Sequence, residues 1–232
     1  MEILGVTKSV VQHLRMKIIT GELSANTRLN EIELSKELGI SRAPLREAFR
    51  ILEEEQLAYG IPRKGCYVAK VSMEDFRELY QIREMIEIFS IDLLEEKGQK
   101  KLPEAELALS LTAGLPTPGP DAESEERVNY LFAFANFHHA VVSSAGNKQL
   151  IYIYTRIGFH LARYQYMYAY YPGLTKNSQR DHKRLLSYIG KGQYSEAKNF
   201  LKSHIKRFVG LIGPKIEAGQ TARGLEINRE AI

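Results

Sequence analysis

The chain has 232 residues, 44% of them hydrophobic, which is enough for a core in each of two domains. Its 32 basic and 28 acidic residues leave a net charge of +4, a mild excess that suits a nucleic-acid binder without requiring one. The lone cysteine, Cys66, excludes an intrachain disulfide, the N-terminus has no apolar secretory segment, and the apolar stretch 150–171 is broken by Arg156, His160 and Arg163, so a cytoplasmic protein without a membrane span is expected.

Thr7 is placed to cap a first helix carrying Val10, Val11, Leu14 and Ile18 at helical spacing, with Gly21 as its stop. Asn30 with Glu33 resembles a capping box for a short helix that Gly39 ends, and Ser41 caps another running to about Gln56. Pro44 falls in the first turn of that helix, where a missing N–H breaks no intrahelical bond. The runs Leu57 to Ile61 and Cys66 to Val71 flank Pro62-Arg63-Lys64-Gly65 and read as a hairpin with a basic tip.

Ser72 and Asp75 open a long amphipathic helix with Phe76, Leu79, Tyr80, Ile82, Met85, Ile86, Phe89 and Leu93 on its apolar side. Further helices are expected around 101–112, 123–144, 148–170, 176–190 and 194–212, punctuated by Gly114 to Pro120, Gly146, Pro172-Gly173 and Gly190 to Gly192. The expectation is a mainly α chain: a helix-turn-helix unit over 1–71 with a small β-hairpin, an all-helical bundle over 72–213 and a weakly periodic tail over 214–232.

On the helix that starts at Ser41, Arg42, Arg46 and Arg50 recur every four residues and cover roughly 80° of the wheel. Leu45, Ala48, Phe49 and Leu52 fill the adjoining apolar sector. A helix in the major groove reads bases with its N-terminal residues, and the planar arginine fork donates to O6 and N7 of guanine together. Arg42 and Arg46 are therefore the base-reading candidates. Ser41 and the helix N-terminus suit a phosphate, as does Arg50, while the Arg63-Lys64-Gly65 tip reaches the neighbouring groove or backbone. A solvated basic face is the plain alternative. The succession of helix, capped helix, glycine turn, basic helix and basic-tipped hairpin favours DNA.

The run Leu34-Ser35-Lys36-Glu37-Leu38-Gly39-Ile40-Ser41-Arg42-Ala43-Pro44-Leu45-Arg46-Glu47-Ala48 resembles the winged helix-turn-helix signature of the GntR family of bacterial regulators. Gly65 and Val68 match its wing. Asp75 to Glu87, with Leu79, Arg83 and Glu87, is similar to the opening helix of the all-helical FCD effector domain of the FadR subfamily; Phe137-His138, Ala145-Gly146-Asn147, His182 and His204 extend the likeness. Ala43 stands where the family often has threonine. The resemblance implies a homodimer on inverted-repeat, double-stranded operator DNA, with repression relieved by a small metabolite such as an organic acid.

His182 and His204 lie on successive expected helices at equal distances from Gln193, so an antiparallel hairpin sets them opposite one another. With His138 from a third helix, three imidazoles could converge on a divalent cation such as zinc or nickel; a core or surface histidine is the alternative for each. The resemblance implies a metal site of these three residues plus an aspartate four positions before the first. Here that position is Phe134, with Asp181 and Asn136 as conceivable substitutes, while His139 and His160 are poor candidates. The tyrosine-rich segment Tyr152, Tyr154, Tyr164, Tyr166, Tyr168, Tyr170 and Tyr171, with Arg156 and Arg163, reads as packing, as dimer interface or as an effector pocket. From it Arg156, Arg163 and Tyr164 are effector candidates, and the resemblance adds Arg83 of the opening helix, whose counterpart in the subfamily commonly faces inward. Cys66, beside basic residues, is a remote candidate for oxidant sensing. Two competing readings remain: a metal-dependent enzyme, for which no general base is evident, and a constitutive DNA binder whose helical half only dimerises.

Overall fold

The computed structural model describes residues 2–116, 118, 122–168 and 174–218, and is mainly helical. The chain forms two compact units, one ending at Val71 and the other starting at Ser72.

In the first unit, α1 (Glu2–Thr20), α2 (Glu31–Leu38) and α3 (Arg42–Glu54) surround a core of Val10, Val11, Leu14, Ile18, Leu45, Ala48, Phe49 and Leu52. Helix α1 starts earlier than the Thr7 cap implied, and Thr7 is buried within it. Gly21 ends the helix at φ 79°. Asn30 caps α2 by accepting the Ile32 N–H at 3.0 Å, and Gly39 closes it at φ 65°, the left-handed conformation glycine adopts without a Cβ penalty. Ser41 sits at the N-cap of α3 but its side chain makes no capping bond. A serine cap accepts from the second or third helical N–H; the third residue here is Pro44, which has none, so only the Ala43 N–H is left and Ser41 does not take it. Helix α3 stops at Glu54, short of Gln56, whose φ of 57° is incompatible with helix.

Strands β2 (Ala58–Ile61) and β3 (Gly65–Val68) form the expected hairpin, with Ala58 opposite Val68 and Ile61 opposite Gly65. A third strand that hydrophobic alternation does not reveal, β1 (Arg28–Leu29), pairs with the outer side of β3, giving the order β1-β3-β2. At the tip the Lys64 N–H bonds the Ile61 carbonyl at 3.0 Å, so Pro62 and Arg63 are the central residues of a turn in which Arg63 has φ 65°.

The second unit is a helical bundle around α4 (Met73–Glu96), which packs against α6 (Ser124–Ser144), α7 (Lys148–Tyr168) and α9 (Tyr194–Glu217). Helix α5 (Pro103–Thr112) lies on α6 and α8 (Leu174–Gly190), and α8 lies on α9. The buried face of α4 is Phe76, Leu79, Tyr80, Arg83, Ile86, Glu87, Ser90, Ile91 and Leu94, an unbroken 3–4 spacing that takes two charged residues inside. Ile82, Met85 and Phe89, expected in the core, are exposed instead. Helix α9 also departs from expectation by running through Gly213 and Pro214 into the segment read as a tail. Proline clashes with, and leaves unbonded, the carbonyl four residues back; here that is the exposed Gly210, where water can take the bond. Tyr170, Tyr171, Pro172-Gly173, Thr117, Gly119, Pro120 and the tail beyond Ala218 lie outside the described residues. No helix among the described residues is long and apolar enough to cross a membrane.

Candidate DNA face and three-histidine site

The amphipathic α3 turns Leu45, Ala48, Phe49 and Leu52 into the core and leaves Ser41, Arg42, Ala43, Arg46 and Arg50 exposed. The three arginines and the wing border a concavity of about 690 Å³ lined by Arg42, Arg46, Arg50, Arg63 and Gly65, which Ser41 and Ala43 do not line. Arg28, on the unanticipated β1, joins this surface; no local pattern marks it, because its placement follows from pairing with Tyr67 across the sheet. Lys64 is exposed at the tip. Two of the arginines carry acidic partners: Arg46 pairs with Glu31 at 2.9 Å, and Arg50 with Glu47 at 2.6 Å and with Glu54. Such exposed pairs contribute only about 0–1 kcal/mol, so a phosphate or base edge can displace them. Cys66 is buried, and burial, reinforced by Glu53, pushes its thiol up to about 12, which leaves no reactive thiolate for oxidant sensing.

In the second unit, α6, α8 and α9 bring His138, His182 and His204 together, with one nitrogen from each lying within 4.8 Å of the others. Glu87 of α4 sits behind His138, its Oε2 2.8 Å from Nδ1, while Oε1 accepts from Arg83 and Tyr154 at 2.6 Å each. Burial disfavours the charge on Glu87, but Arg83, then His138 and Tyr154, more than reverse this and hold its carboxyl well below the usual range. An ionised Glu87 only accepts, so Nδ1 of His138 carries the proton and Nε2 the lone pair. Asp181 stands in the same relation to His204, 3.1 Å from Nδ1, and also accepts from Arg207 at 2.6 Å. Asp181 therefore orients a histidine from behind and is not itself placed as a ligand; Asn136 is exposed.

Burial holds all three imidazoles neutral: His138 below its ordinary value, His182 well below it and His204 down to about 4, with mutual repulsion adding to the last two. The Nε2 atoms of His138 and His182 are 3.0 Å apart. Two nitrogens at the ~2.1 Å bonding distance and about 90° around one cation would be separated by about 3.0 Å. His182 Nδ1 is buried without a hydrogen-bond partner. Neutral imidazoles with convergent nitrogens, two of them oriented by carboxylates, fit a divalent cation. Phe134 stands half-buried beside them, its ring centroid 6.5 Å from that of His182, so it supplies an apolar wall where a carboxylate would have supplied a charge.

The histidines line a cavity of about 70 Å³ with Arg83, Tyr130, Phe134 and Phe208. A second cavity of about 240 Å³ lies between α6 and α7. Arg83 lines both; Arg156, Arg163 and Tyr164 line neither. Arg156 lies over the Tyr152 ring at 5.0 Å. Tyr164 is fully buried, its hydroxyl placed to donate to either Asp75 or the Ser72 carbonyl at the start of α4. Arg163 is buried beside them, and burial lowers its guanidinium to about 10. His160 Nε2 lies 2.8 Å from Asp75 Oδ2 and completes this cluster, apart from the three-histidine cavity. His139 is bound to Thr155 at 3.0 Å and borders the second cavity.

A model of the gntR family of bacterial regulatory proteins matches residues 6–68, and a model of the FCD domain matches residues 78–207, over half the chain. The uncharacterized HTH-type transcriptional regulator YdhC of Bacillus subtilis is 26% identical over 196 residues, 82% of this chain and 84% of that protein. The gluconate operon transcriptional repressor of Bacillus licheniformis is 28% identical over 148 residues, 64% of this chain and 58% of the repressor. The HTH-type transcriptional repressor RspR of Escherichia coli is 38% identical over 82 residues, 35% of this chain and 36% of RspR. A solved GntR regulator from Rhodococcus sp. RHA1 shares the fold, with a TM-score of 0.71 at 22% identity over 89% of this chain and 96% of that one. Residues on both units are thus covered by models of one class of regulators, which is not a class of enzymes. The chain belongs to the GntR family of DNA-binding transcriptional regulators, with an N-terminal GntR helix-turn-helix and a C-terminal FCD domain of the FadR-like subfamily.

Proposed function

We propose that this regulator is a homodimeric repressor of the bacterial cytoplasm that binds an inverted-repeat operator and is controlled by a carboxylate effector held at a divalent metal. The observation that carries the reading is the convergence of three neutral histidines within 4.8 Å, two of them oriented by buried carboxylates, in a domain joined to an exposed arginine helix. Arg42 and Arg46 read base edges, Ser41 and Arg50 hold phosphates, and the Arg63-Lys64-Gly65 wing and Ala43 complete the contact surface. The exposed apolar stripe Ile82, Met85 and Phe89 of α4 supports self-association, which two-fold operator recognition requires.

His138, His182 and His204 would hold the metal, and Arg83 lies beside them on the cavity wall. The ion supplies a Lewis-acidic anchor when bound. Three imidazoles bring no negative charge, and the nearest carboxylates, Glu87 and Asp181, are engaged behind the rings. An anionic oxygen ligand is therefore what the site lacks, and an organic acid provides it. Such a ligand alters DNA affinity to the extent that it favours one arrangement of the dimer.

The test combines operator titration by fluorescence anisotropy with metal analysis. Arg42→Ala and Arg46→Ala should each lose about 1–3 kcal/mol of discrimination against a mismatched operator. Zinc should bind at one equivalent per chain and be lost in His138→Ala. Full operator specificity in both arginine variants would show the reading helix to be misassigned. A chain that takes up no zinc or nickel would leave the constitutive DNA binder as the better account.

A further inference from the structure

Gly158 stands in the interior of α7 (Lys148–Tyr168), where glycine is a poorer helix former than alanine. No close approach demands it: a Cβ built there meets nothing within 4 Å. What the missing side chain leaves is space, because Gly158 lines the cavity of about 240 Å³ between α6 and α7. That chamber is distinct from the one enclosed by the three histidines, yet Arg83, Ala135, His138 and Gln165 are walls of both. Phe132 and Phe159 supply an apolar wall, their rings set edge to face at 6.4 Å. An apolar cavity of roughly 150 Å³ accommodates benzene, so this one has room for a six-membered ring with a short substituent.

We propose that the α6–α7 chamber receives the ring-sized apolar body of the effector, whose carboxylate is held by Arg83 on the wall that this chamber shares with the three-histidine cavity. The regulator then responds to aryl carboxylates in preference to short acids. This rests on the acid-binding reading of the histidine site given above.

The zinc-loaded full chain is titrated calorimetrically with phenylacetate and with acetate. Wild type should bind phenylacetate at least about tenfold more tightly, since only the aryl acid buries apolar surface in the chamber. Gly158→Leu, which takes up the space beside α7, should remove that advantage while acetate affinity and zinc content stay unchanged. Phe159→Ala, which removes part of the apolar wall, should lower phenylacetate affinity alone and gives an independent reading if the leucine variant does not fold. Equal affinity of wild type for the two acids, or an undiminished preference in both variants, overturns the inference while acetate binding keeps the acid-site reading in place. Failure of both acids to bind zinc-loaded wild type overturns both.

Discussion

Replacing Glu87 by glutamine keeps the size of the side chain and removes its charge, at a residue 1% exposed. Arg83, itself 4% exposed, then loses its ionic partner in the core, and breaking a buried pair from one side costs roughly 3–5 kcal/mol. The hydrogen bonds add a second effect. The glutamine oxygen can still accept from Arg83 and Tyr154, as Oε1 does now at 2.6 Å from each, but its NH2 then faces His138 Nδ1 where Oε2 stood at 2.8 Å. Donor meets donor unless His138 moves its proton to Nε2, the nitrogen that faces His182. A protonated Nε2 cannot ligate. Zinc affinity should therefore fall by at least the 10–100-fold typical of a lost orienting partner (about 1.4–2.7 kcal/mol). Stability is read by urea unfolding of the metal-free chain followed by tyrosine fluorescence, as there is no tryptophan, and zinc affinity by chelator competition. Arg83→Met combined with Glu87→Gln should recover stability relative to Glu87→Gln alone, because no unpaired charge remains, yet should not recover zinc binding. A Glu87→Gln variant within about 1 kcal/mol of wild type and with wild-type zinc affinity would refute both the ion-pair and the tautomer argument.

Acid should destabilise the metal-free protein in a defined window. The unfolded histidines take up protons near pH 6.5, while burial holds His138 and His182 below that value and His204 near 4, so stability is full above about pH 6.5 and declines as pH falls toward 4; a urea midpoint unchanged between pH 7 and pH 5 contradicts this. Arg63→Gly suits the left-handed φ of 65° at the wing turn. It should leave stability unchanged or raise it by up to about 1 kcal/mol. It should also weaken operator binding and reduce the salt slope by about one, and unaltered DNA binding would remove Arg63 from the interface. Phe134→Asp places an anionic oxygen beside the three imidazoles and should raise zinc affinity in chelator competition; no gain would show that position 134 is not aimed at the cation.

The DNA-binding unit was the more legible part because its signals are local. Asn30 and Gly39 mark the ends of α2 by cap chemistry, and the apolar positions of α3 separate cleanly from Arg42, Arg46 and Arg50. Where local reasoning failed, a neighbour decided. Ser41 has the right type for a cap but the wrong third residue, and Arg28–Leu29 become a strand only because β3 offers its free edge. In the second unit, hydrophobicity alone misassigned part of α4. Ile82, Met85 and Phe89 are more apolar than Arg83 and Glu87, yet it is the charged pair that lies inside. The 3–4 spacing from Phe76 through Leu79, Tyr80, Ile86, Ile91 and Leu94 passes through positions 83, 87 and 90, so the periodicity of the whole face outweighs the polarity of single residues.

The three histidines are legible from the hairpin spacing of His182 and His204 and from family likeness, whereas the roles of Glu87 and Asp181 behind them are not. Glu87 is 51 residues from His138, and Asp181 adjoins one histidine in sequence while bonding another. Neither relation has a local signature, since both depend on which helices pack together. The same holds for the tyrosines and arginines of α7. On a helical wheel Arg163 and Tyr164 are as plausible a ligand wall as Gln165, but Tyr164 and Arg163 turn toward Asp75 and Ser72 at the head of α4, while Gln165 borders both cavities. One residue along a helix is about 100° of rotation. That rotation separates a side chain that anchors the first residues of the second unit from one that borders both cavities, so the cavity wall and the fixing of Ser72 are mechanically adjacent on a single turn of α7.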